Sequence, residues 1–596
     1  MKKMAALVCA TALATTALVA CTPKPPSAQP VAQQFAQALE QRDMEALGQV
    51  VSQPAQATEV VEATFSGLQA ESVDIELDRV EQQESLATAH YTVRWMLPRQ
   101  RTLDYEASAV LTKQGQEWTV DWQPSVLHPR LGAHQHLELR PVAAERASVV
   151  SSDGVELLTP GLQYRLLVDT KSADTARVAA ALAPLVAQDP AELADALAKA
   201  SGVYSVGLYD DAVEREVMAL GLAGVRFNEE PALTVREEGF ATDILSRVRT
   251  LVADRLDGTN GWRVAVVNEN GASLTDIEYH AAQPSPAIRV GLDYNVQRAA
   301  EAAVNLRADS EAMIVAMRPS TGEILAVAQT AAADKRGDLA LSGQFPPGSV
   351  FKILTAGAGI DKQGLDSGSI VPCPGTMNLY GRVVTNYNGF GLGSVPLEQA
   401  FARSCNTTFA DISTRLEQGE LKQEAKRFGL GIDYDIPGLT TVTGSVPEGE
   451  TPLERTEAGY GQGLDLVSPF GMALVSSTVA AGVRPVPRLI AGEKTTPSEE
   501  IDGPAPHVIE NLRTMMRSTV TSGTAAGMRA GGEIYGKTGE AEITGGSHAW
   551  FTGFRDDDIA FATLVVLGGG SETSVALTDH FFRTLDDLRS RPNPGL

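Results

Sequence analysis

The amino-acid sequence predicts an α+β multidomain protein whose last domain is an antiparallel sheet covered by helices. Three observations carry that reading. Near the N-terminus two helix-spaced stretches are followed by a run of alternating strands, the order of an α+β unit. In the last half, apolar strand patterns open and close the region and helical patterns fill the interval. Finally, 43% apolar against 21% charged residues is the composition of a folded chain, too apolar for broad disorder. At about 150 residues per domain, the 596 residues allow roughly four units.

Lys2 and Lys3 precede an apolar run from Met4 to Ala20, 17 residues long and marginal for a bilayer span. A charged start, an apolar middle and small residues at the end make 1–20 a secretory signal peptide, followed by a Pro-rich tether over 21–27. Leu18-Val19-Ala20-Cys21 resembles the bacterial lipobox. That resemblance implies diacylglyceryl transfer to Cys21, cleavage before it, and an exported protein lipid-anchored to the outer face of the cytoplasmic membrane, because two acyl chains anchor durably. The plain alternative is an ordinary cleaved signal with a chance cysteine. Cys373 and Cys405 remain in an oxidising compartment, where they could pair, although a small buried side chain accounts for Cys405 equally well.

Over 28–136, Val31, Phe35 and Leu39, then Leu47, Val50 and Val51, keep helical spacing. Val73 to Leu77, Ala87 to Trp95, Leu103 to Leu111 and Trp118 to Trp122 alternate like strands of a curled sheet. The pattern resembles a nuclear-transport-factor-like cone, and with no catalytic cluster in it a spacer role is expected. The region 137–290 is acidic and mixed, with turn signals at Ser152-Asp153-Gly154 and Asp257-Gly258 and a helical stretch from Ala173 to Ala200. It reads as a linker. From 291 to 596 the character changes. Asn295 to Leu306 is helical; Met313 to Met317 and Ile324 to Ala328 flank a Pro319-Ser320-Thr321-Gly322 turn; Ala549 to Phe554 and Ile559 to Leu567 are strands; Leu577, Phe581, Leu585 and Leu588 share a helix face.

Three short motifs lie in this last region. In Pro347-Gly348-Ser349-Val350-Phe351-Lys352, proline and glycine stop the preceding chain and Val350 to Ile360 continues as an apolar helix. Ser349 and Lys352, three apart, then share a face. A serine hydroxyl needs a base, and a lysine serves as one when burial and a nearby cation lower its pKa. Helix N-terminal amides suit the oxyanion of acyl transfer. Ser404-Cys405-Asn406 and Gly536-Lys537-Thr538-Gly539 follow in order. Each motif alone reads equally well as a helix cap or a turn; the ordered set is specific.

That set is a known signature of β-lactamases and penicillin-binding proteins. With Gly322-Glu323-Ile324-Leu325-Ala326, Gly461-Gln462-Gly463 and Ala549-Trp550-Phe551-Thr552-Gly553-Phe554, the chain resembles class B penicillin-binding proteins of the lipoprotein type. The resemblance implies a MecA N-terminal type cone over 28–136, a dimerisation or linker domain over 137–290 and a transpeptidase domain over 291–596. It implies a serine D,D-transpeptidase that is acylated by β-lactams and needs no cofactor or metal. Ser349 is the implied nucleophile, Lys352 its base, Ser404 a proton relay, Asn406 a ligand of both substrate amide and Lys352, and Lys537 the charge that keeps Lys352 neutral. Thr538 would donate to the substrate carboxylate, and the N–H groups of Ser349 and Glu540 would form the oxyanion hole beside Gly539. Implied partners are stem peptides ending in D-Ala-D-Ala, β-lactams, the membrane through Cys21 and a glycan polymerase in a cell-wall synthesis complex.

Glu540 departs from the family pattern, which has Thr or Ser there; a carboxylate beside the substrate's own is expected to slow acylation unless it points away. His548 reads as structural. A D,D-carboxypeptidase, a β-lactamase and a non-catalytic β-lactam sensor or scaffold remain open at this point. A formal charge of −25 excludes nucleic acid as a partner, since no basic stripe is available to neutralise phosphates.

Overall fold

The computed structural model describes residues 26–591. The expected signal peptide, Cys21 and most of the tether lie outside the described residues. Two compact units are present.

The first unit comprises residues 26–145 and 258–284. Helices Gln29–Glu40, Met44–Val50 and Pro54–Leu68 precede a four-stranded antiparallel meander of Ser72–Gln82, Leu86–Leu97, Arg101–Gln114 and Glu117–Val120. Asp43 caps the second helix through the N–H groups of Glu45 and Ala46, and Pro54 sits at the start of the third, where a missing N–H costs nothing. Alternation places Ala87, Ala89, Tyr91, Val93 and Trp95 inward from one strand, against Phe35, Phe65 and Trp122. The Trp95 indole donates to the Tyr105 hydroxyl at 2.9 Å, which donates to Leu127 O at 2.7 Å, so the polar edges of these aromatics are satisfied inside the cone.

A second sheet, Ser273–His280, Gly261–Asn268 and Gln135–Val142, completes this unit. Val264 and Val266 are buried in the same core as Trp95. The expected linker over 137–290 therefore divides: residues 258–284 return to the N-terminal unit, and 146–257 group with the rest of the chain. Pairing of Gly261–Asn268 with Gln135–Val142 across more than a hundred residues is the reason.

The second unit holds residues 146–257 and 285–591. Its first lobe pairs Glu156–Asp169 with Val203–Tyr209 and Val225–Val235. The expected helix from Ala173 to Ala200 is broken into Thr175–Leu182 and Pro190–Lys199, because Asp189-Pro190 starts a new helix with the Asp189 carboxylate as its cap. The main sheet runs Ile324–Gln329, Ala312–Met317, Ile559–Val565, Gly546–Arg555 and Ile534–Ile543, all antiparallel. Helices Tyr294–Val304 and Glu572–Arg589 cover one face with Val296, Ala300, Phe581 and Leu585. The core on the other face includes Met472 and Val475 of the apolar helix Pro469–Ala481 and Ile353 and Leu354 of Lys352–Gln363. Burial from both sides explains why Ala312–Met317 is apolar throughout and Ile559–Val565 is apolar but for Thr563, without alternation. The strand Ile534–Ile543 is left at the edge, and the turn that starts the Lys352–Gln363 helix packs against it.

Candidate active site

Three glycines let the backbone converge where Ser349 stands. Gly348 has φ +53°, and a Cβ there would lie 2.4 Å from Glu540 O. A Cβ on Gly461, at φ +77°, would lie 1.9 Å from Gly348 O, and one on Gly539 would lie 3.0 Å from Pro347 O. Gly348 N donates to Gly461 O at 2.9 Å, and the Trp550 indole donates to Pro346 O at 3.0 Å. The Pro-Pro-Gly entry is thus clamped between the edge strand and the Gly461-Gln462-Gly463 turn. Residues Gly348–Phe351 form a 3₁₀ turn before the α-helix proper. In that geometry side chains three apart eclipse, which places Lys352 directly over Ser349.

Lys352 Nζ is fully buried with four oxygen neighbours: Ser349 Oγ at 2.9 Å, Ser404 O at 2.9 Å, Ser404 Oγ at 3.1 Å and Asn406 Oδ1 at 2.6 Å. Burial pushes its pKa well below the usual lysine value, and the charge of Lys537 pushes it further. In the neutral form two N–H bonds are available, and two neighbours are acceptors only: Ser404 O and Asn406 Oδ1. Asn406 Nδ2 donates to Thr385 O at 3.0 Å, which fixes the amide orientation. The lone pair then faces hydroxyls, Ser349 above all. This is the arrangement of a base.

Ser404 reaches Lys352 with both carbonyl and hydroxyl because its backbone takes φ +60°, a strained value for a non-glycine residue. The strain is held from both sides. Ser404 N and Cys405 N close the preceding helix on Phe401 O and Ala400 O, and Cys405 is disulfide-bonded to Cys373. The buried Asn386 amide bridges Pro374 O, Phe390 O and the Thr407 N–H around that disulfide. Lys537 Nζ donates to Ser404 Oγ at 3.0 Å and Thr538 O at 2.8 Å, and burial lowers its pKa to about 7. Ser404 Oγ therefore joins the two lysines.

Thr538 O faces the free edge of the sheet, where Lys537 meets it. Peptide groups of an antiparallel edge strand alternate in direction, so the N–H of Glu540, two residues on, faces the same edge as the turn that starts the Lys352–Gln363 helix. That is the position expected of an oxyanion donor. The Thr538 hydroxyl shares a hydrogen bond with Thr524. The Glu540 carboxylate accepts from Ser547 Oγ at 2.8 Å, across one strand, so it is tied to a hydroxyl rather than to solvent or a cation. His548 is structural: its Nδ1 accepts from Leu567 N at 3.2 Å and its ring meets the Phe345 edge.

Ser349, Lys352, Ser404, Asn406 and Lys537 thus come together, with Thr538, Gly539 and Glu540 along the bordering strand. Residues without a motif also take part. Phe409 and Phe401 place rings 5.7 and 5.6 Å from the Lys352 and Lys537 side-chain nitrogens, and Thr385 and Asn386 hold the Ser404-Cys405-Asn406 segment. No spacing in the sequence marks them.

Residues 312–585 match the family described as penicillin binding protein transpeptidase domain. The C-terminal domain is a penicillin-binding protein transpeptidase domain. Residues 27–135 match the NTF2-like N-terminal transpeptidase domain, so the cone in front is NTF2-like. The chain is 29% identical over 311 residues to the peptidoglycan D,D-transpeptidase PbpA of Mycolicibacterium smegmatis, covering 43% of this chain and 62% of that protein. It is 23% identical over 372 residues to the peptidoglycan D,D-transpeptidase MrdA of Acinetobacter baumannii, covering 54% and 55%. The fold resembles the solved complex between a penicillin-binding protein (PBP2) and MreC from Helicobacter pylori, with TM-score 0.57, 16% identity and coverage of 76% of this chain and 100% of that one. The chain spans under two thirds of the length of these curated relatives.

Proposed function

We propose that the protein is a serine D,D-transpeptidase that cross-links peptidoglycan stem peptides. The contact of buried, low-pKa Lys352 Nζ with Ser349 Oγ at 2.9 Å carries this reading. Ser349 Oγ attacks the carbonyl between the last two D-alanines while Lys352 takes its proton. The oxyanion is held by the N–H groups of Ser349 and Glu540. As the tetrahedral intermediate collapses, the peptide C–N bond breaks, and the proton passes from Lys352 through Ser404 Oγ to the departing D-alanine nitrogen. An amine of a second strand then attacks the Ser349 ester. It gives its proton back along the same route and frees the hydroxyl as the cross-link forms. Lys537 draws the terminal carboxylate, and a β-lactam enters by the same attack.

The test is covalent labelling by a fluorescent penicillin, comparing the native protein with Ser349→Ala and following label loss. Labelling that persists for many minutes and vanishes in the variant is the expected outcome. An unlabelled native protein overturns the reading, and label lost within seconds makes the protein a β-lactamase.

Cys21 supplies the anchor in this proposal, holding the enzyme at the outer face of the cytoplasmic membrane. Radiolabelled palmitate should enter the native chain and not Cys21→Ser. The proposal includes a place in a cell-wall synthesis complex beside a glycan polymerase, which crosslinking of the full-length protein in membranes would detect; the penicillin-binding protein of similar fold is itself solved in a complex with MreC.

A further inference from the structure

Lys537 draws the terminal carboxylate in this chemistry, yet its side chain is fully buried, and Thr538 beside it is only 2% exposed. The side chain next to them that does open to solvent is Thr524, which no motif marks. Its Oγ1 lies 2.5 Å from Thr538 Oγ1, and among the described residues neither hydroxyl has another hydrogen-bond partner. The position of Thr524 is fixed from two sides. The helix Pro506–Thr521 ends at Ser522, and Gly523 then passes so close to the helix Leu397–Ala402 that a Cβ on it would lie 2.4 Å from Ala402 O. Thr524 N donates to the same carbonyl at 3.1 Å, and Ala525 N closes the turn on Thr519 O at 3.0 Å. Ala402 lies two residues before Ser404, while Arg517, from the helix that leads into the loop, donates to Ile534 O at 2.8 Å. The loop therefore ties the wall that carries Ser404 to the strand that carries Lys537, and sets the Thr524 hydroxyl against Thr538.

Two hydroxyls that share one hydrogen bond hold two protons and use one of them, so the pair has one O–H donor left over. If Thr524 gives its proton to Thr538, the remaining O–H belongs to the buried Thr538, where no acceptor is at hand, and an unpaired buried donor is the costly arrangement. If Thr538 gives its proton to Thr524, the remaining O–H belongs to the exposed side chain and nothing buried is left unsatisfied. The second arrangement is favoured before substrate arrives, so the hydroxyl that faces an incoming anion is that of Thr524. We propose that the Thr524 hydroxyl donates to the terminal carboxylate of the donor peptide and that Thr538 orients it from behind, so that Thr524 makes the protein select substrates ending in a free carboxylate. Thr538 then acts through Thr524 and does not itself touch the carboxylate, while the charge of Lys537 attracts the anion from beneath both. The assignment rests on the transpeptidase reading and adds a specificity-determining residue to it.

The experiment measures acylation of the full-length protein by benzylpenicillin and by benzylpenicillin methyl ester, which lacks the anion, from the intact mass of quenched samples. The readout is the ratio of the two second-order rates, which does not depend on how much of a variant is folded. Thr524→Val keeps the shape of the side chain and removes the hydroxyl. It should lower the ratio by roughly tenfold, the loss expected of a hydrogen bond to a charged group, and leave the ester rate within about twofold of the native one. Thr524→Ser, which keeps the hydroxyl, should retain the native ratio, and Thr538→Val should lower it by less than Thr524→Val does. A ratio that Thr524→Val leaves unchanged, that Thr524→Ser lowers as far as Thr524→Val, or that Thr538→Val lowers more overturns this proposal and leaves the transpeptidase reading standing. An ester rate that falls in Thr524→Val as far as the penicillin rate overturns it too, because Thr524 would then serve only the shape of the loop. Native protein acylated by neither compound overturns the transpeptidase reading itself.

Discussion

Replacing Lys537 by methionine keeps most of the side-chain volume and removes one charge, so it isolates what that charge does to Lys352. The two Nζ atoms share Ser404 Oγ at 3.1 and 3.0 Å and so lie no more than about 6 Å apart. At an effective dielectric of ~20, two unit charges at that distance repel by about 2.7 kcal/mol, or about two pKa units. Lys352 must be neutral to accept the Ser349 proton, so acylation is lost as pH falls through its pKa. Lys537 must be charged to draw the substrate carboxylate, so acylation is also lost as pH rises through about 7. The native profile is therefore a narrow bell whose limbs belong to the coupled pair.

In Lys537→Met the basic limb should disappear and the acidic limb should move upward by about two pH units. The assay is the second-order rate of penicillin acylation from pH 5 to 10, taken from quenched time points so that slow rates remain measurable. An acidic limb that stays in place while the overall rate falls would refute the electrostatic role and leave Lys537 with carboxylate binding alone. A basic limb that survives the substitution would show that another group causes it.

Four further outcomes are expected. Asn406→Asp puts a carboxylate on Lys352 Nζ where the amide oxygen stands at 2.6 Å; the acidic limb should move upward and acylation at pH 7 should fall at least about tenfold. Gly461→Ala forces a Cβ to 1.9 Å from Gly348 O at a positive φ, and should cost about 2 kcal/mol or more in denaturant unfolding together with most of the penicillin labelling rate. Glu424 is a carboxyl whose pKa burial raises to about 7, with one oxygen unpartnered. Its folded pKa lies above its unfolded one, so its contribution is fully present below pH 4.5 and is lost as pH rises through 7. The stability difference between Glu424→Gln and the native protein should accordingly shift by about 3 kcal/mol in favour of the variant between pH 4.5 and pH 8. Glu540→Thr should be acylated roughly two- to fivefold faster than the native protein, a modest gain because Ser547 already holds the carboxylate; equal or slower acylation would show that Glu540 does not oppose the incoming anion.

What was legible in the sequence was whatever is local. Ser349 and Lys352 are three apart on one turn, so their meeting follows from helical geometry, and proline and glycine before them announce the sharp entry. Apolar runs such as Ala312–Met317 announce themselves because both faces of the sheet are covered. The split of 137–290 was not legible, because Gly261–Asn268 shows its partner only in the register of a strand far upstream. The same holds for the hairpin that carries Thr385. Its strands are four residues each, too short for a period, and their importance comes from Asn406, which arrives from another part of the chain. The side chain of Glu540 was ambiguous for a similar reason: two outcomes were open, and Ser547, seven residues away across a turn, supplied a third.

The charge of the chain sharpens what the site has to achieve. With 74 acidic residues against 49 basic ones, carboxylates are the easiest partners for a buried lysine to find. Neither lysine of the site is given one. Lys352 meets Ser404 O, Asn406 Oδ1 and two hydroxyls; Lys537 meets Thr538 O and Ser404 Oγ. Neutral oxygens satisfy the N–H groups geometrically but return little of the energy that burial removes from an ammonium ion, so both pKa values fall. A carboxylate in any of these places would make a stable ion pair and a dead base. The Lys-Thr-Gly strand, the strained Ser404 and the amide of Asn406 are therefore one device for keeping acids out of reach in an acidic protein.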